Sequence, residues 1–346
     1  MKAETAAAGT PAGMLRSGFE LHQPPVAALQ SFVTPLADMF YVVHLGVADL
    51  SARLWSLEIG GLVAKPVTLD WAALQQLPSR RIVAAHECAG SPLFPDKPVR
   101  RVGNVEWDGV PLAAVLAIAG VLPQARYVWS TGADSGTFNG VHHACYQKDL
   151  PIEKALAAET LIATRINGEP LSPERGGPAR LIVPGFYGTN STKWLTRLEL
   201  REERSPGHFT TALYNDRIEY GGRTHLKPVW AIAPHSLIVS HRDAVPVAAG
   251  MQKIEGWAWA GGGVAQVEVS VDAGLHWRVA RLERRVDFSW QRFCLEANLP
   301  PGEHDLICRA TANDGAVQPA SGARNEWFSI RMEVHAAPNQ TEDAST

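Results

Sequence analysis

The sequence has no long hydrophobic run, little cysteine and little net charge, and each absence excludes a class of protein. No stretch approaches the ~18 consecutive apolar residues that a membrane-spanning helix needs. The four cysteines form neither a CxxC nor a CxxCH motif, which argues against a zinc ribbon and against a covalently attached c-type haem. The formal net charge of −3 argues against a nucleic-acid-binding protein, because phosphate binding needs a basic surface.

The two ends of the chain lack further features. The start of the sequence contains no apolar segment of the kind a secretory signal needs and no twin arginine. We therefore expect a cytoplasmic protein, or a periplasmic one if a leader has been removed. We expect residues 1–18 to be flexible, and residues 337–346 to be disordered because they lack large apolar side chains.

What the chain does contain is typical of a soluble two-domain enzyme or binding protein. It has 346 residues, of which 46% are apolar and 19% are charged, enough to build two hydrophobic cores. Eleven tryptophans stand out against six tyrosines.

Two patterns of secondary structure divide the sequence. Over residues 19–225, strand-like runs alternate with helical spacing at 111–121 and 151–161. A connector rich in glycine and proline follows at 221–234, and short strands with turns fill 235–336. The sequence therefore predicts an α+β domain over 19–225 and an all-β sandwich of about 100 residues over 235–336.

One strand of the predicted sandwich shows clear alternation. Residues 266–271 alternate polar side chains with valines, so Val267, Val269 and Val271 share one face of a strand. The tryptophans of this region are expected to fill its core, although a role in an interface is the alternative; they are Trp257, Trp259, Trp277 and Trp290.

Cys88 is the first candidate for chemistry. It ends a β-branched strand and precedes Ala89 and Gly90, where small residues let a ligand approach the backbone closely. A thiolate in that position is a plausible soft metal ligand. The alternative is a buried core cysteine, since free cysteines are commonly buried.

Nine segments in a fixed order carry a wider signal. They are VTPLADMFYVVH (33–44), HECAG (86–90), EWDGVPLAAVL (106–116), TGAD (131–134), RINGEPL (165–171), GGPARLIVPGFYG (176–188), TKWL (192–195), SVDAGLHW (270–277) and ATANDGAVQP (310–319). Their order and spacing resemble the sulfite oxidase family of molybdenum enzymes, which also includes assimilatory nitrate reductase and bacterial sulfite dehydrogenases. The resemblance runs from about Phe19 to Val334.

The resemblance implies a molybdopterin-binding domain of the sulfite oxidase fold, followed by an immunoglobulin-like dimerisation domain that forms a homodimer. It implies that Cys88 binds molybdenum beside the dithiolene of the pterin. A pterin with a phosphate tail needs cations and backbone donors for the phosphate, and acceptors for its ring N–H groups. By position, the implied cofactor-binding residues are Tyr41, Val42, Val43, His44, Asp134, Arg175, Arg180, Ser191, Thr192 and Lys193.

Each of these residues also has a structural explanation. Asp134 can be a turn former, and Arg180 and Lys193 can be solvated surface charges, although Arg180 opens an apolar run. Tyr214 falls where the family keeps an active-site tyrosine beside the metal, which implies hydrogen bonding to the substrate and assistance of proton transfer. The alternative for Tyr214 is a core tyrosine.

The sequence departs from the family at the substrate anion. Where relatives carry an arginine, this chain has Val43 followed by His44, and Leu93 stands where another arginine is common. Arg175 stands where a cofactor-binding histidine is usual. Each charge-assisted hydrogen bond to an oxyanion contributes about 1.5–3 kcal/mol, so two losses weaken sulfite binding considerably.

Other side chains are candidates to restore the positive charge. The predicted substrate residues are His44, Arg100 and His208, with Arg101, His86, His142 and His143 as further candidates. A pocket built on histidine would bind anions better at lower pH, because imidazole loses its charge near neutrality. For any single histidine the alternative is an ordinary core or surface residue.

We therefore predict a molybdopterin-dependent oxidoreductase that oxidises sulfite or a related sulfur compound. The alternatives are the same fold acting on a less anionic substrate, and a non-catalytic relative that has lost the cofactor. Because the chain has no haem-attachment motif, no cytochrome b5-like segment and no flavin fingerprint, we expect no haem and no flavin. Electrons would leave through an external acceptor, such as a c-type cytochrome.

Overall fold

The computed structural model describes residues 13–91 and 100–336, which form two compact units. The N-terminal unit comprises residues 13–23, 35–89 and 101–230. The C-terminal unit comprises 24–34, 90–91, 100 and 231–336. This division differs from the predicted one, which treated 19–225 as one continuous domain, because 24–34 and the residues flanking 92–99 group with the later part of the chain.

The N-terminal unit is built mainly from short strands. Its helices are α1 Trp71–Gln75, α2 Leu112–Ala119, α3 Ile152–Ala155 and α4 His208–Thr211, with 3-10 turns at Leu36–Asp38, Ala52–Leu54, Pro173–Arg175 and Gly188–Asn190. Its strands are β1 Met14–Ser17, β2 Glu20–His22, β3 Tyr41–Val43, β4 Gly46–Ala48, β5 Ser56–Gly61, β6 Val67–Asp70, β7 Arg80–Glu87, β8 Val102–Pro111, β9 Tyr127–Gly132, β10 Gly136–Phe138, β11 Val141–His143, β12 Gln147–Pro151, β13 Leu161–Ile166, β14 Glu169–Pro170, β15 Arg180–Ile182, β16 Leu195–Arg201, β17 Asn215–Tyr220 and β18 Arg223–Pro228.

Two larger sheets organise these strands. One has the order β12-β9-β16-β5-β6, in which β16 pairs with β5 in parallel and with β9 antiparallel. The other has the order β14-β13-β8-β7, and β15 also pairs with β13. Residues 14–17, predicted to belong to a flexible N-terminus, form β1 and pair with β4. The predicted flexible residues 1–12 and disordered residues 337–346 lie outside the described residues.

The helical predictions have different outcomes. Helix α2 confirms the spacing seen at 111–121. It buries Leu112, Val115, Leu116 and Ala119 in a hydrophobic core that also contains residues from the strands of both larger sheets. The prediction of a helix over 151–161 is wrong beyond its first turn. The Thr160 hydroxyl donates to the Lys154 carbonyl, so the end of α3 is closed by a side chain and the chain turns into β13.

The C-terminal unit is the predicted all-β sandwich. Its strands are β19 His235–Ile238, β20 Val247–Ala248, β21 Gly250–Trp259, β22 Val264–Ser270, β23 Arg278–Val279, β24 Arg281–Leu282, β25 Gln291–Leu299, β26 Gly302–Ala312 and β27 Ser329–His335, with a 3-10 turn at Val26–Ala28. One sheet has the order β19-β21-β25-β24 and the other β20-β27-β26-β22-β23.

The alternation predicted for 266–271 is confirmed at Val267 and Val269, but it fails at the end of β22, where Ser270 is buried and Val271 is only half-buried. Val267 and Val269 are buried, and Trp257, Trp259 and Trp290 are buried with them. The rings of Trp257 and Trp290 stack with their centroids 4.6 Å apart, so these tryptophans pack the interior as expected. The prediction is wrong for Trp277, which is only half-buried and lies against the Trp327 ring and the Arg309 guanidinium. In the described ranges, no helix is long and apolar enough to cross a membrane.

Candidate active site

A pocket of about 740 Å³ opens in the N-terminal unit, and most of the predicted site residues line it. The chain reaches it from β3, from the end of β7, from the loop after β9 and from the turns on either side of β15. Ten of the predicted residues line this pocket: Tyr41, Val42, His44, Cys88, Asp134, Arg175, Arg180, Ser191, Lys193 and Tyr214.

Four predicted residues lie elsewhere in the described chain. Alternation along β3 turns Val43 away from Val42 and into a core cluster with Trp194, where it is fully buried. The Thr192 hydroxyl is hydrogen-bonded to the Ser130 hydroxyl at 2.7 Å. These two are corrections to the predicted cofactor-binding set, because neither side chain faces the pocket.

The predicted substrate residues Arg100 and His208 also need correction. Arg100 belongs to the C-terminal unit, where its guanidinium lies 4.6 Å from the ring centroid of Phe328. His208 begins α4 and packs against His143, with ring centroids 5.1 Å apart. Neither residue lines the pocket, and Arg101, His142 and His143 do not line it either. Among the described residues predicted to bind the substrate anion, only His44 and the further candidate His86 line the pocket.

Cys88 occupies the position that the sequence predicted for it. It follows the last residue of β7, and its backbone N–H donates to the Arg101 carbonyl at 2.9 Å. Its thiol is partly exposed, and it is the only thiol among the residues that line the pocket. Across residues 13–91 and 100–336, no group of three or more His, Cys, Asp or Glu side chains is arranged to hold a metal. Cys88 is thus a candidate for a single protein ligand and not part of such a described cluster.

Three buried cations line the pocket, and backbone carbonyls hold each of them. Arg175 donates to the carbonyls of Leu36 at 2.6 Å and Met39 at 3.0 Å. Arg180 donates to the carbonyls of Arg175 and Ser191, both at 2.9 Å. Neither guanidinium has a carboxylate partner in these contacts, so these contacts leave both positive charges unneutralised.

Lys193 is fixed in the same way. Its ammonium donates to the Val42 carbonyl at 2.7 Å and lies 4.4 Å from the ring centroid of Trp194. Burial, reinforced by the charge of Arg180, lowers the pKa of Lys193 to about 7. An anion bound here would oppose that shift and favour the charged form of the lysine.

Several residues that line the pocket have buried polar atoms without hydrogen-bond partners. Among the described residues, Asp134 Oδ1, Arg180 Nε and Trp107 Nε1 are buried and make no hydrogen bond. Burial raises the pKa of the Asp134 carboxyl, and Lys193 opposes that rise. A buried polar atom without a partner destabilises a protein by about 1–3 kcal/mol, so three in one pocket point to a polar ligand that satisfies them.

The donor set therefore fits a molybdopterin cofactor. The chain offers a thiol at Cys88 for the metal, a carboxylate acceptor at Asp134 for ring N–H groups, and the cations Arg180 and Lys193 for a phosphate. Arg175 lines the same pocket, but its donors already serve the backbone of residues 36–40.

Tyr146 and Thr189 line the pocket and were missed in the sequence. The Tyr146 hydroxyl donates to the Thr189 carbonyl at 2.6 Å and lies 3.0 Å from the Thr189 hydroxyl. Tyr146 follows a loop without regular periodicity, and no motif singled it out. Trp107 also lines the pocket; its position in β8 was recognised only as part of a motif.

Tyr214 and His44 form a direct pair. The Tyr214 hydroxyl and His44 Nε2 are 2.8 Å apart, although the residues are 170 positions apart in the sequence. Burial raises the pKa of the Tyr214 phenol well above its usual range, so the hydroxyl keeps its proton.

The expected histidine charge is absent from the pocket. Burial first, then the charges of Lys193 and Arg101, lower the pKa of His44 to about 3. Burial and Arg180 lower the pKa of His86 well below its usual value. The prediction that these histidines bind anions better at mildly acidic pH is therefore wrong, because the same burial that places them in the pocket keeps them neutral.

Gly176 provides a test of how Lys193 is positioned. Its φ is +89°, and a Cβ there would lie 2.5 Å from Lys193 Cβ and 2.6 Å from Lys193 Cγ. We expect Gly176→Ala to displace Lys193 and to lower the molybdenum content of the purified protein several-fold, measured by elemental analysis. The matched control is Gly168→Ala, where φ is +78° and nothing lies within 4 Å of the new Cβ. Both substitutions place alanine in a left-handed backbone conformation, which destabilises the protein by ~1–2 kcal/mol in each case. Equal loss of molybdenum in the two variants would therefore contradict a role of Lys193 in holding the cofactor.

Comparison with known protein families finds two matching models. Residues 44–209 match the oxidoreductase molybdopterin binding domain, and residues 227–335 match the Mo-co oxidoreductase dimerisation domain. The order of the two matches is the order of the two predicted domains.

Relatives of known activity are similar over most of the chain. Mitochondrial sulfite oxidase of Homo sapiens is 28% identical over 92% of this chain, and the sulfite oxidase of Arabidopsis thaliana is 29% identical over 87%. The aligned part is 65% of the human protein and 86% of the plant protein. The chain thus spans just under two thirds of the length of the mammalian relatives.

A solved structure matches nearly the whole chain. The sulfane dehydrogenase SoxCD from Paracoccus pantotrophus superposes with a TM-score of 0.79 at 28% sequence identity. The match covers 97% of this chain and 96% of that one, so both units of the fold are shared.

Proposed function

Because this chain belongs to the sulfite oxidase family of molybdopterin-dependent oxidoreductases, we propose that it oxidises sulfite or a related sulfur compound with a molybdenum cofactor. One observation carries the proposal. A single pocket brings together the Cys88 thiol, the Asp134 carboxyl with its unpartnered Oδ1, and two buried cations, Arg180 and Lys193. A relative that had lost its cofactor would have no need to keep these polar atoms buried without partners.

The chain's own residues divide between holding the cofactor and handling the substrate. Cys88 would bind the metal, Asp134 would accept from the pterin ring, and Arg180 and Lys193 would bind its phosphate. When bound, the cofactor supplies a two-electron acceptor and oxygen-atom transfer. Trp107 and Ile166 line the pocket as apolar walls that exclude bulk water from the cofactor side.

Tyr214 would act on the substrate side. Conversion of sulfite to sulfate adds one oxygen from water and releases two protons and two electrons. The Tyr214 hydroxyl, protonated and 2.8 Å from His44, would donate a hydrogen bond to a substrate oxygen. When His44 Nε2 carries the imidazole proton and donates to the Tyr214 oxygen, the tyrosine O–H is free for this bond.

A second substrate class is favoured by the charge of the pocket. Where the family binds the substrate anion with an arginine, Val43 is buried in a core cluster and His44 is neutral. The similar protein from Paracoccus pantotrophus is named a sulfane dehydrogenase. A sulfur compound less anionic than sulfite is therefore the second candidate substrate.

The partners follow from the two domains. We propose a homodimer through the C-terminal unit, which matches the dimerisation domain model over residues 227–335. Electrons would pass to an external acceptor, for which a c-type cytochrome is our choice. For the compartment, we propose the periplasm if a leader precedes the sequence, and the cytoplasm if none does.

Metal analysis and turnover test the proposal together. Protein from a host that makes the cofactor should contain about one molybdenum per chain and reduce ferricyanide when sulfite is added. Turnover with an organic persulfide but not with sulfite would favour the second substrate class. Metal-free protein, or bound molybdenum without turnover of either compound, would overturn the proposal.

A further inference from the structure

His44 is enclosed by aromatic rings on the substrate side of the pocket. Besides its hydrogen-bond partner Tyr214, four rings have centroids within 6.3 Å of its own: Phe138 at 4.8 Å, Phe209 at 5.7 Å, Tyr146 at 6.1 Å and Phe19 at 6.3 Å. None of these rings carries a charge or offers a carboxylate. An imidazole in such surroundings loses the hydration that stabilises its protonated form, so the uncharged form is favoured.

The partner of His44 is held from several directions. Tyr214 adopts a φ of +57°, which costs a non-glycine residue free energy and persists only where its surroundings hold it. Its carbonyl accepts from the Val229 N–H at 3.0 Å, and the Lys148 ammonium lies 5.5 Å from its ring centroid. The hydroxyl then meets His44 Nε2 at 2.8 Å. Both side chains are therefore fixed before any substrate binds.

The three buried cations of the pocket are held by the backbone, and two of them, Arg180 and Lys193, are assigned above to the cofactor phosphate. Arg175, Arg180 and Lys193 each donate to backbone carbonyls, and the free donor of Arg180 lies on the cofactor side, over Trp107. Among the described residues that line the pocket, no charged side chain takes part in the hydrogen bond between Tyr214 and His44. The described lining residues around this hydrogen bond thus present hydroxyl and imidazole groups; the nearby cation Arg101 acts on His44 through its charge but does not line the pocket.

We propose that His44 is the specificity-determining residue of this site: it orients the Tyr214 hydroxyl as an uncharged partner, and it makes the pocket select sulfur groups that carry at most one negative charge. The inference rests on the proposed function and narrows its substrate class. A dianion entering this pocket would lose hydration without gaining a charge-assisted hydrogen bond, whereas a monoanion or a sulfur atom on an organic carrier loses less.

Two inhibitors of the same tetrahedral shape separate the charge of the substrate from its size. We would measure the dissociation constants of sulfate, a dianion, and methanesulfonate, a monoanion, by calorimetry on the molybdenum-loaded protein. The expected result is that methanesulfonate binds at least as tightly as sulfate. Tighter binding of sulfate by the unmodified protein would overturn the inference, even if the enzyme turns over sulfur substrates as proposed.

Variants at position 44 then change the charge and the hydrogen bond separately. His44→Gln keeps a neutral polar group and should leave the ratio of the two dissociation constants within about threefold. His44→Arg adds a cation and should shift that ratio towards sulfate by roughly ten- to a hundredfold, the worth of one charge-assisted hydrogen bond. A shift with glutamine as large as that with arginine would contradict the charge argument.

The orienting role of His44 has its own measurement. His44→Phe should lower kcat with little change in KM, and His44→Phe combined with Tyr214→Phe should be no slower than Tyr214→Phe alone. Additive losses would show that His44 acts independently of Tyr214 and would overturn this role.

A variant of Arg101 tests whether a nearby cation, and not His44, sets the affinity for sulfate. Its charge contributes to the lowered pKa of His44, and its guanidinium donates to the Gln23 side chain at 2.8 Å. Arg101→Gln should leave sulfate binding unchanged. A tenfold loss of sulfate affinity in this variant would assign the anion to Arg101 and overturn the selection of low charge by His44.

Discussion

Cys88→Ser is expected to abolish sulfur-dependent electron transfer and to lower the molybdenum content of the protein. Cys88 is the one thiol of the pocket, at the end of β7, where its backbone is fixed by the hydrogen bond to Arg101. A serine hydroxyl is a poor ligand for a soft site that a thiolate suits. Since losing an outer partner of a metal ligand costs about 10–100-fold, losing the ligand itself should cost at least about a thousandfold in turnover.

The measurement is steady-state reduction of ferricyanide by sulfite, with molybdenum determined in the same samples. Cys294→Ser is the matched control, because Cys294 is also a partly exposed free cysteine but lies in strand β25 of the C-terminal unit. The melting temperatures of both variants should stay within a few degrees of the unmodified protein. Full activity in Cys88→Ser would contradict the assignment of the metal ligand.

Tyr214→Phe should give the second largest effect, a fall in kcat of about a hundredfold or more with a smaller change in KM. The change removes only the hydroxyl that lies 2.8 Å from His44 and keeps the aromatic ring in the same place. A positioned proton donor or acceptor contributes typically 10²–10⁴-fold to a rate, and the raised pKa of this phenol keeps it protonated at neutral pH.

Tyr146→Phe is the control within the same pocket. The Tyr146 hydroxyl already donates to the Thr189 carbonyl at 2.6 Å, so it is engaged in holding the turn at residues 188–190. We expect Tyr146→Phe to lose less than tenfold in kcat. A loss as large as that of Tyr214→Phe would show that the rate depends on the packing of the pocket and not on the Tyr214 proton.

The sequence predicted the parts of the fold that follow from local periodicity. The alternation of Val267 and Val269, the helical spacing of 112–119 and the change of pattern near residue 230 depend on neighbours in sequence, so they can be read without the structure. The prediction of a longer helix at 151–161 was wrong because Thr160 closes α3 with its own hydroxyl. That hydrogen bond competes with the helix and leaves no mark in the apolar spacing.

The motifs also placed most of the pocket, because its residues lie at strand ends and turns that the chain brings to one place. Cys88, Asp134, Arg180 and Lys193 were all named in advance, and all four line the pocket. The motifs were less reliable for side-chain direction. Val43 and Thr192 belong to the same segments as Val42 and Lys193, but alternation along β3 turns Val43 into the core. Thr192, which lies before β16, is hydrogen-bonded to Ser130.

The charge of the pocket was decided by tertiary structure alone. The sequence shows that Val43 stands where relatives carry an arginine and that His44 follows it, and it predicts a histidine that gains charge at lower pH. The structure surrounds His44 with rings from Phe138, Phe209 and Tyr146, which come from three different segments, and lowers its pKa to about 3. The sequence by itself thus indicated the family and the order of the two domains, and it predicted Cys88 as the metal ligand, because these inferences rest on residue types in a fixed order. Whether His44 is a cation or a neutral partner of Tyr214 depends on how much water reaches it, and only the packing of distant segments sets that.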